Sequence, residues 1–383
     1  MATFNVACET VYGSNSVAEV GSRFRAANLR HAFIVTDPGV RAAGLADKVE
    51  GTLKEAGLVC TVFDGVSPNP RVSEVTAGVE RMRAAGADGV VAVGGGSAMD
   101  AAKGMATVMG NGGHLRDYLL GLGGTPPTKP LAPLYAIPTT CGTGSEVSAG
   151  AVISDTESKT KLVLFPCAAR LAVLDPAMVQ TLPPHMTAAS GMDALTHSVE
   201  AYVCSRADVM TRTFGVQAIR LIARALPDAV KEGDKNGALT TMLYAASLAG
   251  HAMMGGLGQV HALAHAAGGC LDVPHGATNA ILLPVVMEHH LEFLAPLLAE
   301  IAPLMGENVF GLSAMQAAER AVAAMVRLRD EIGLPARLRD LGVKESDIEA
   351  CADGAMGPAQ FFFIVEPRPV MRDDVVGMYR RAL

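Results

Sequence analysis

The chain has 383 residues, a formal net charge of −7, 50% hydrophobic residues and 18% charged residues. A charged share below the value of about 25% that is typical of globular proteins, combined with so much apolar material, excludes global disorder. The length of the chain favours two domains. The sequence has no basic stripe or Lys/Arg run, so it does not predict nucleic-acid binding, which requires neutralisation of phosphates.

Cysteine use and apolar patterning bear on the cellular compartment. The seven cysteines are odd in number and form no C-x-x-C pair, which favours reduced thiols over a disulfide framework. Every apolar stretch is interrupted before about 18 residues, and no basic segment precedes an apolar one at the start. We therefore expect no transmembrane helix and no signal peptide, and we predict a cytoplasmic protein. The mean hydropathy of +0.30 predicts a large core and a buried contact between copies, in a homodimer or higher homo-oligomer.

Short apolar runs alternate with helical patterns through the first 180 residues. Strand followed by helix, repeated along the chain, is typical of a parallel sheet with right-handed crossovers. We therefore predict an α/β domain over residues 1–180, with a surface loop at 121–129. Its predicted strands are 32–36, 59–63, 89–93, 134–137 and 171–174, and its predicted helices are 40–56, 72–86 and 100–108.

The texture changes at the double proline 183–184. Strand-like runs end there, and long segments rich in Ala, Leu and Met continue to the C-terminus. This pattern predicts an all-helical domain over residues 181–383. The predicted helices are 187–204, 208–226, 238–254, 259–270, 277–304, 313–331 and 370–382.

A triple glycine follows the apolar run 89–93 and leads through Ser97 into a predicted helix. Glycines allow the backbone to approach a ligand closely, and the start of a helix favours an anion such as a pyrophosphate. The segment is neither a G-x-G-x-x-G nor a Walker motif. It therefore indicates either a nucleotide contact or simply a tight turn between strand and helix. Ser97 and Asp100 lie where they can cap the helix or bind phosphate.

Two further polar positions follow predicted strands. The loop 138–146 contains Thr139, Thr140 and Thr143 together with two glycines. Asp37 ends another strand, where its carboxylate could hold ribose hydroxyls and repel a 2′-phosphate, or could start a turn before Pro38. Because ligands bind at the carboxyl ends of parallel strands, the two loops together predict a dinucleotide site. The carboxylate of Asp37 predicts that this site prefers NAD to NADP.

A second group of polar residues lies in the helical half. Asp193 and His197 are four residues apart on one helix face, and His261 and His265 repeat that spacing in an Ala/Leu-rich helix. His275 stands at the turn before the next helix. A lone histidine in such surroundings is usually a hydrogen-bonded core residue, but burying this whole group is costly unless a divalent metal binds it. One carboxylate and three imidazoles suit Fe²⁺, Zn²⁺ or Co²⁺, and the fourth histidine leaves the choice of ligands open.

The chain resembles the iron-containing (group III) alcohol dehydrogenases, an oxidoreductase family unrelated to the zinc alcohol dehydrogenases. The resemblance covers nearly the whole sequence. It rests on IVTD (34–37), DGVSPNP (64–70), GGGSAMDAAKG (94–104), IPTTCGTGSEV (137–147), LDP (174–176), LPPHMTAASGMDALTHSVEAY (182–202), VHALAH (260–265) and PHGATNAILLP (274–284).

The resemblance implies an NAD-binding α/β domain and an all-helical metal-binding domain, as in dehydroquinate synthase-like folds, with the active site between them. It places the metal, Fe²⁺ or Zn²⁺, on Asp193, His197, His261 and His275, and assigns proton transfer to His265. The cofactor contacts that it implies are Asp37, Asn69, Gly95, Gly96, Ser97, Asp100, Thr139, Thr140, Thr143 and Lys161.

Two segments depart from the family pattern. At 251–257 family members more often have an aromatic residue and an Asn-containing stretch, whereas this chain has His251 followed by AMMGGL. At 361–366 the family usually has polar residues before N-P-R, whereas this chain has FFFIVE. Both segments are expected to form pocket walls, so they bear on the substrate and not on the chemistry.

The predicted activity is hydride transfer between NAD(H) and a small primary alcohol or aldehyde bound to a divalent metal. Three alternatives remain at this point: a hydrolase or lyase that uses the same ligands without redox chemistry, a specialised reductase of an anionic aldehyde, and a cofactor-binding protein without catalysis.

Overall fold

The computed structural model describes residues 6–158, 160–357, 359–365 and 368–383. The chain divides into two compact units. One comprises Met1–Thr140 and Gly144–Leu182, and the other comprises Cys141–Thr143 and Pro183–Leu383.

The first unit is an α/β domain with a six-stranded parallel sheet and a small antiparallel sheet. The large sheet has the strand order β1-β9-β6-β4-β2-β3, and the small sheet has the order β5-β8-β7. The strands are β1 Glu9–Tyr12, β2 His31–Val35, β3 Val59–Phe63, β4 Gly89–Gly94, β5 Leu119–Leu120, β6 Leu134–Pro138, β7 Ala151–Asp155, β8 Thr160–Leu164 and β9 Leu171–Leu174. The helices are α1 Val20–Ala26, α2 Pro38–Ala42, α3 Leu45–Glu55, α4 Val72–Ala85 and α5 Gly96–Asn111.

The parallel sheet is buried on both faces, which explains why its strands read as continuous apolar runs. Phe33, Val35 and Val90 point into one hydrophobic cluster, while Ile34 and Val91 point into the other. The register pairs Ile34 with Val91 and Val91 with Tyr135, so β2, β4 and β6 end at the same edge. The loops that follow these three strands are thereby brought to one edge of the sheet.

The second unit is helical, and its described residues contain no strand. Helix α6 packs against α7, α8 and α10, α9 packs against α10 and α13, and α11 packs against α12. The buried phenol of Tyr379 donates a hydrogen bond of 2.7 Å to the carbonyl of Leu263 and fastens α14 to α9. The helices are α6 Pro184–Val203, α7 Val209–Glu232, α8 Ala238–Ala252, α9 Gln259–Leu271, α10 His275–His289, α11 Leu291–Leu304, α12 Ala314–Glu331, α13 Ile348–Met356 and α14 Arg372–Ala382.

Two long predicted helices are wrong as single elements. The prediction over 40–56 corresponds to α2 and α3, which are separated at Gly44, where φ is +74°. The prediction over 277–304 corresponds to α10 and α11, which meet at His290 with a bend of 117°. Among the described residues no single helix has both the length and the apolar content to span a membrane, and only the bent pair α10 and α11 passes that test together.

A buried lysine holds the loop after β6. Lys103 on α5 is inaccessible to solvent, and its ammonium group donates hydrogen bonds to Ser145 Oγ at 2.9 Å, Ser148 Oγ at 3.1 Å and the Gly150 carbonyl at 2.6 Å. A buried cation is stable only when such acceptors replace its water. The lysine therefore fixes residues 145–150 against α5.

Glu146 lies in the same loop and is 2% exposed. Burial raises the pKa of its carboxyl group from 4.5 to about 7, while a backbone hydrogen bond and the charge of Lys103 act in the opposite direction. The unfolded chain therefore releases this proton near pH 4.5 and the folded chain only near pH 7. Folding stability from this group falls as the pH rises through that window.

We predict that Glu146→Gln, which cannot ionise, stabilises the protein increasingly as the pH rises from 5 to 8. At pH 8 the gain in the free energy of unfolding is up to about 3 kcal/mol, which is the pKa difference expressed as free energy. Thermal unfolding of both proteins at each pH measures it, and Glu80→Gln on the exposed face of α4 is the control. An identical difference at pH 5 and pH 8 would show that ionisation of Glu146 is not responsible.

Candidate functional site

The triple-glycine loop connects β4 to α5 in the α/β unit. Gly94 is the last residue of β4, Gly95 is the N-cap position of α5, and no side chain caps this helix. The N–H groups of the first turn, at Gly96 and Ser97, therefore have no side-chain cap, and both residues are half-buried. This arrangement fits the pyrophosphate of a dinucleotide, which the start of a helix favours.

The threonine loop lies beside the triple-glycine loop. The N–H of Thr139 donates a hydrogen bond of 2.9 Å to the Gly94 carbonyl. A Cβ atom on Gly95 would lie 2.9 Å from Thr140 Cγ2, so only a glycine allows this approach. Thr143 belongs instead to the helical unit, together with Cys141 and Gly142. The structure thus brings Gly95, Thr139 and Thr140 together and assigns Thr143 to the other unit.

Three other predicted cofactor residues already have protein partners. Asp37 accepts hydrogen bonds from the N–H groups of Gly39 and Val40 through Oδ1 and so starts α2. Its other oxygen, Oδ2, would lie 3.4 Å from a Cβ on Gly94 and therefore stands next to the glycine loop. Lys161 Nζ donates a hydrogen bond of 2.8 Å to Asn69 Oδ1, which joins two residues that are 92 positions apart.

Asp100 is half-buried, and both of its oxygens accept hydrogen bonds from the protein. Ser145 Oγ donates to one at 2.7 Å, and the N–H of Val152 donates to the other at 2.9 Å. Burial raises the pKa of this carboxyl group, while Lys103 lowers it. The carboxylate therefore connects α5 to the threonine loop and β7, and its role as a cofactor contact stays a prediction.

The polar cluster of the helical unit is formed by α6, α9 and α10. Asp193 Oδ1 lies 3.4 Å from His275 Nε2, 3.8 Å from His261 Nε2 and 3.9 Å from His197 Nε2. The ligand atoms of Asp193, His261 and His275 all lie within 4.8 Å of one another. His197 approaches the carboxylate but lies outside this group of three, and its ring stacks on that of His261 with centroids 4.7 Å apart.

Asn279 on α10 indicates what this cluster requires. Its Nδ2 lies 2.7 Å from Asp193 Oδ1, 3.3 Å from His261 Nε2 and 3.2 Å from His275 Nε2. A single donor thus faces three acceptors, while Asn279 Oδ1 is buried without a hydrogen-bond partner among the described residues. One carboxylate and two imidazoles that converge on the partial positive charge of an N–H₂ group fit a divalent transition metal.

Burial keeps His197 in the neutral form that can bind a metal. It lowers the pKa of this imidazole to about 4, against the opposing effect of the Asp193 carboxylate. At neutral pH the ring therefore has no extra proton, and one of its nitrogens offers a lone pair.

Close helix packing places His275. The first turn of α10 contains Gly276, and a Cβ atom there would lie 2.3 Å from the carbonyl oxygen of Ala189 on α6. Because glycine has no Cβ, α10 approaches α6 closely enough for His275 to reach Asp193.

The structure adds functional candidates that the sequence did not predict. Besides Asn279, these are Glu200, which is hydrogen-bonded to His261 Nδ1 at 2.5 Å, and Phe362. The ring of Phe362 lies edge-on to His265, with centroids 4.8 Å apart, and 6.3 Å from His261. The i, i+7 spacing of Asp193 and Glu200 was a signal in the sequence, whereas no local pattern identifies Phe362.

The structure describes all of 251–257 and residues 361–365 of the other unusual segment. Phe361 and Phe362 lie in a short helical turn at Gln360–Val365, and Glu366 lies outside the described residues. In the other segment, α8 ends at Ala252, and the ring of His251 lies 5.1 Å from that of Phe214. Phe362 thus forms an apolar wall beside His265, whereas a wall formed by 251–257 stays a prediction.

Comparisons with known proteins agree with this chemistry. The family model described as iron-containing alcohol dehydrogenase matches residues 8–176, and the C-terminal model of the Fe-containing alcohol dehydrogenase family matches residues 187–383. The chain is 42% identical to 1,3-propanediol dehydrogenase from Klebsiella pneumoniae, covering 97% of this chain and 96% of that protein. It is 39% identical to NAD-dependent methanol dehydrogenase from Bacillus methanolicus, covering 93% of each.

The fold is also similar to that of solved structures. A crystal structure of 1,3-propanediol oxidoreductase superposes with a TM-score of 0.95 at 41% identity, covering 100% of both chains. Two family matches that together span almost the whole sequence, with relatives at this identity, establish the family. The chain belongs to the iron-containing alcohol dehydrogenase family and is an NAD-linked enzyme of the alcohol dehydrogenase and aldehyde reductase class.

Proposed function

We propose that this enzyme interconverts small primary alcohols and their aldehydes, with a divalent metal held by Asp193, His197, His261 and His275. The observation that carries the proposal is the convergence of the ligand atoms of Asp193, His261 and His275, which lie within 4.8 Å of one another on α6, α9 and α10. His197 Nε2 lies 3.9 Å from Asp193 Oδ1 and would complete the set. Relatives named for 1,3-propanediol, methanol and lactaldehyde support a small substrate.

Different residues of the helical unit would hold the metal and enclose the reacting oxygen. When bound, the divalent metal supplies Lewis acidity towards that oxygen. Asp193 contributes a negative charge, and the neutral ring of His197 contributes a lone pair. Phe362 packs edge-on against His265 and would shield that side of it from water. We propose Fe²⁺ as the native metal, as the family's name implies. Zn²⁺ is the alternative, because this donor set suits both ions.

Oxidation of the alcohol removes a hydride from the carbinol carbon and a proton from the hydroxyl oxygen. Bound NAD⁺ would supply the acceptor for that hydride. We assign the proton to His265, directly or through water, because it lies beside His275 with ring centroids 5.1 Å apart. In the α/β unit, the loop at Gly95, Gly96 and Ser97 with Thr139 and Thr140 would hold the pyrophosphate, and Asp37 the ribose.

The cytoplasmic location and the association of copies into a homo-oligomer stay predictions.

The first test is His261→Ala. Removal of a ligand should lower the metal content and reduce kcat/KM by more than about 100-fold, because even residues that only support metal ligands contribute 10- to 100-fold. NADH binding, followed by fluorescence, should remain close to that of the parent protein. The control is His114→Ala, which truncates an exposed histidine of the α/β unit. Unchanged turnover and metal content in His261→Ala would reject the ligand assignment.

The second test addresses cofactor choice. Asp37→Gly should raise the ratio of kcat/KM for NADPH to that for NADH by about tenfold or more, because the carboxylate that repels a 2′-phosphate is removed. The substitution also removes the N-cap of α2, so Asp208→Gly, which removes the N-cap of α7, serves as the matched control. An unchanged ratio would show that Asp37 acts only as a cap.

The third test concerns the size of the substrate. Phe362→Ala should raise kcat/KM for hexanol relative to propanol by about tenfold, because removal of the ring opens space beside His265. The control is Phe310→Ala, which removes a ring that is 94% exposed. A steady-state series from methanol to hexanol measures the ratio. If both variants keep the chain-length profile of the parent, Phe362 does not limit the substrate.

A further inference from the structure

Glu200 is a buried carboxylate that the ligand set does not include. It lies on α6, the helix that carries Asp193 and His197, and the three positions follow an i, i+4, i+7 pattern along one stripe of the helix. Glu200 is 2% exposed. A buried carboxylate is strongly destabilising unless hydrogen-bond donors replace its water, so its partners indicate its purpose.

Both carboxylate oxygens of Glu200 are used on two consecutive residues of α9. The N–H of Val260 donates a hydrogen bond of 2.6 Å to Oε1. The second oxygen, Oε2, lies 2.5 Å from His261 Nδ1. Val260 is in the first turn of α9, where backbone N–H groups have no partner within the helix. Glu200 therefore fastens the start of α9 to α6 and, with its other oxygen, controls the histidine.

The contact with Nδ1 determines which nitrogen of His261 is available. An ionised carboxylate only accepts hydrogen bonds, so His261 Nδ1 must carry the proton that it donates. In a neutral imidazole the other nitrogen, Nε2, then has the lone pair. His261 Nε2 is the atom that faces Asp193 Oδ1 at 3.8 Å and Asn279 Nδ2 at 3.3 Å.

We propose that Glu200 is a positioning residue for the metal site: it fixes His261 in the Nδ1–H tautomer and so directs the Nε2 lone pair towards the metal. The inference rests on the ligand set of the proposed function. Glu200 also adds a second negative charge behind the ligand, next to that of Asp193, which favours a divalent cation.

A purely structural role for Glu200, as a cap of α9, predicts a different outcome. Glu200→Gln separates the two roles because its side chain has one acceptor and one donor group. If the amide oxygen accepts from the Val260 N–H, the amide nitrogen faces His261 Nδ1. Nδ1 must then accept, and the proton moves to Nε2, where it opposes metal binding. The cap is kept while the tautomer is reversed.

The experiment titrates metal-free protein with Zn²⁺ against a chelator of known affinity. Glu200→Gln should bind Zn²⁺ about 10- to 100-fold more weakly than the parent, which is the usual effect of losing a residue that supports a metal ligand. Glu319→Gln, on the exposed face of α12, should bind like the parent. The thermal midpoint of the metal-free proteins monitors folding. Equal Zn²⁺ affinity of Glu200→Gln and the parent would overturn the proposal.

A second measurement does not depend on whether Glu200→Gln folds. Selective ¹⁵N labelling of histidine, with His261→Ala to assign the resonances, reports the tautomer of His261 in the metal-free parent. We expect the Nδ1–H form, and an Nε2–H form would overturn the proposal. Failure of the proposed function looks different: the parent then binds no Zn²⁺, or His261→Ala binds it as tightly as the parent does.

Discussion

The helical unit is organised around the carboxylate of Asp193, which is buried among imidazoles and has no lysine or arginine among the partners described above. The histidines approach its Oδ1 at 3.4–3.9 Å, and the Asn279 amide donates to it at 2.7 Å. A buried carboxylate with one amide donor and no cationic partner is unfavourable, so the packing of α6, α9 and α10 favours a positive partner at their junction. A divalent cation meets that requirement and explains why these helices carry polar residues at all.

The parts of the fold that depend on local pattern could be predicted from the sequence. The strands at 59–63 and 171–174 match β3 and β9, and the parallel sheet follows from the alternation of apolar runs with helices. The polar cluster could be predicted in part, because Asp193 and His197, and His261 and His265, are each separated by one helical turn. The structure groups Asp193, His261 and His275, and the full set of metal ligands stays a prediction. Polar residues at that spacing in apolar helices stand out against the background.

Features that depend on distant contacts could not be predicted. The strands β7 and β8 were not predicted, because their apolar residues form short runs beside polar ones, AVISD and TKLVL, with no helical pattern between them. The break at Gly44 was missed because Leu45, Val49 and Leu53 have helical spacing after it, and an isolated glycine does not exclude a helix. Asn279 contacts Asp193 and His261, which are 86 and 18 positions away, and Phe362 contacts the distant His265. Both hydrogen bonds of Glu200 are made to α9, 60 and 61 positions along the chain. Such partners are set by helix packing, which no single segment encodes.

The contact between Gly276 and the Ala189 carbonyl has a consequence for how this enzyme can vary. A single added methyl group at residue 276 would have to push α10 away from α6, since it would meet a backbone oxygen at 2.3 Å. The shift would carry His275 with it. The packing of α6 against α10 and the position of the ligand His275 are therefore coupled. A substitution where the two helices meet changes the metal site, whereas one far from that contact does not.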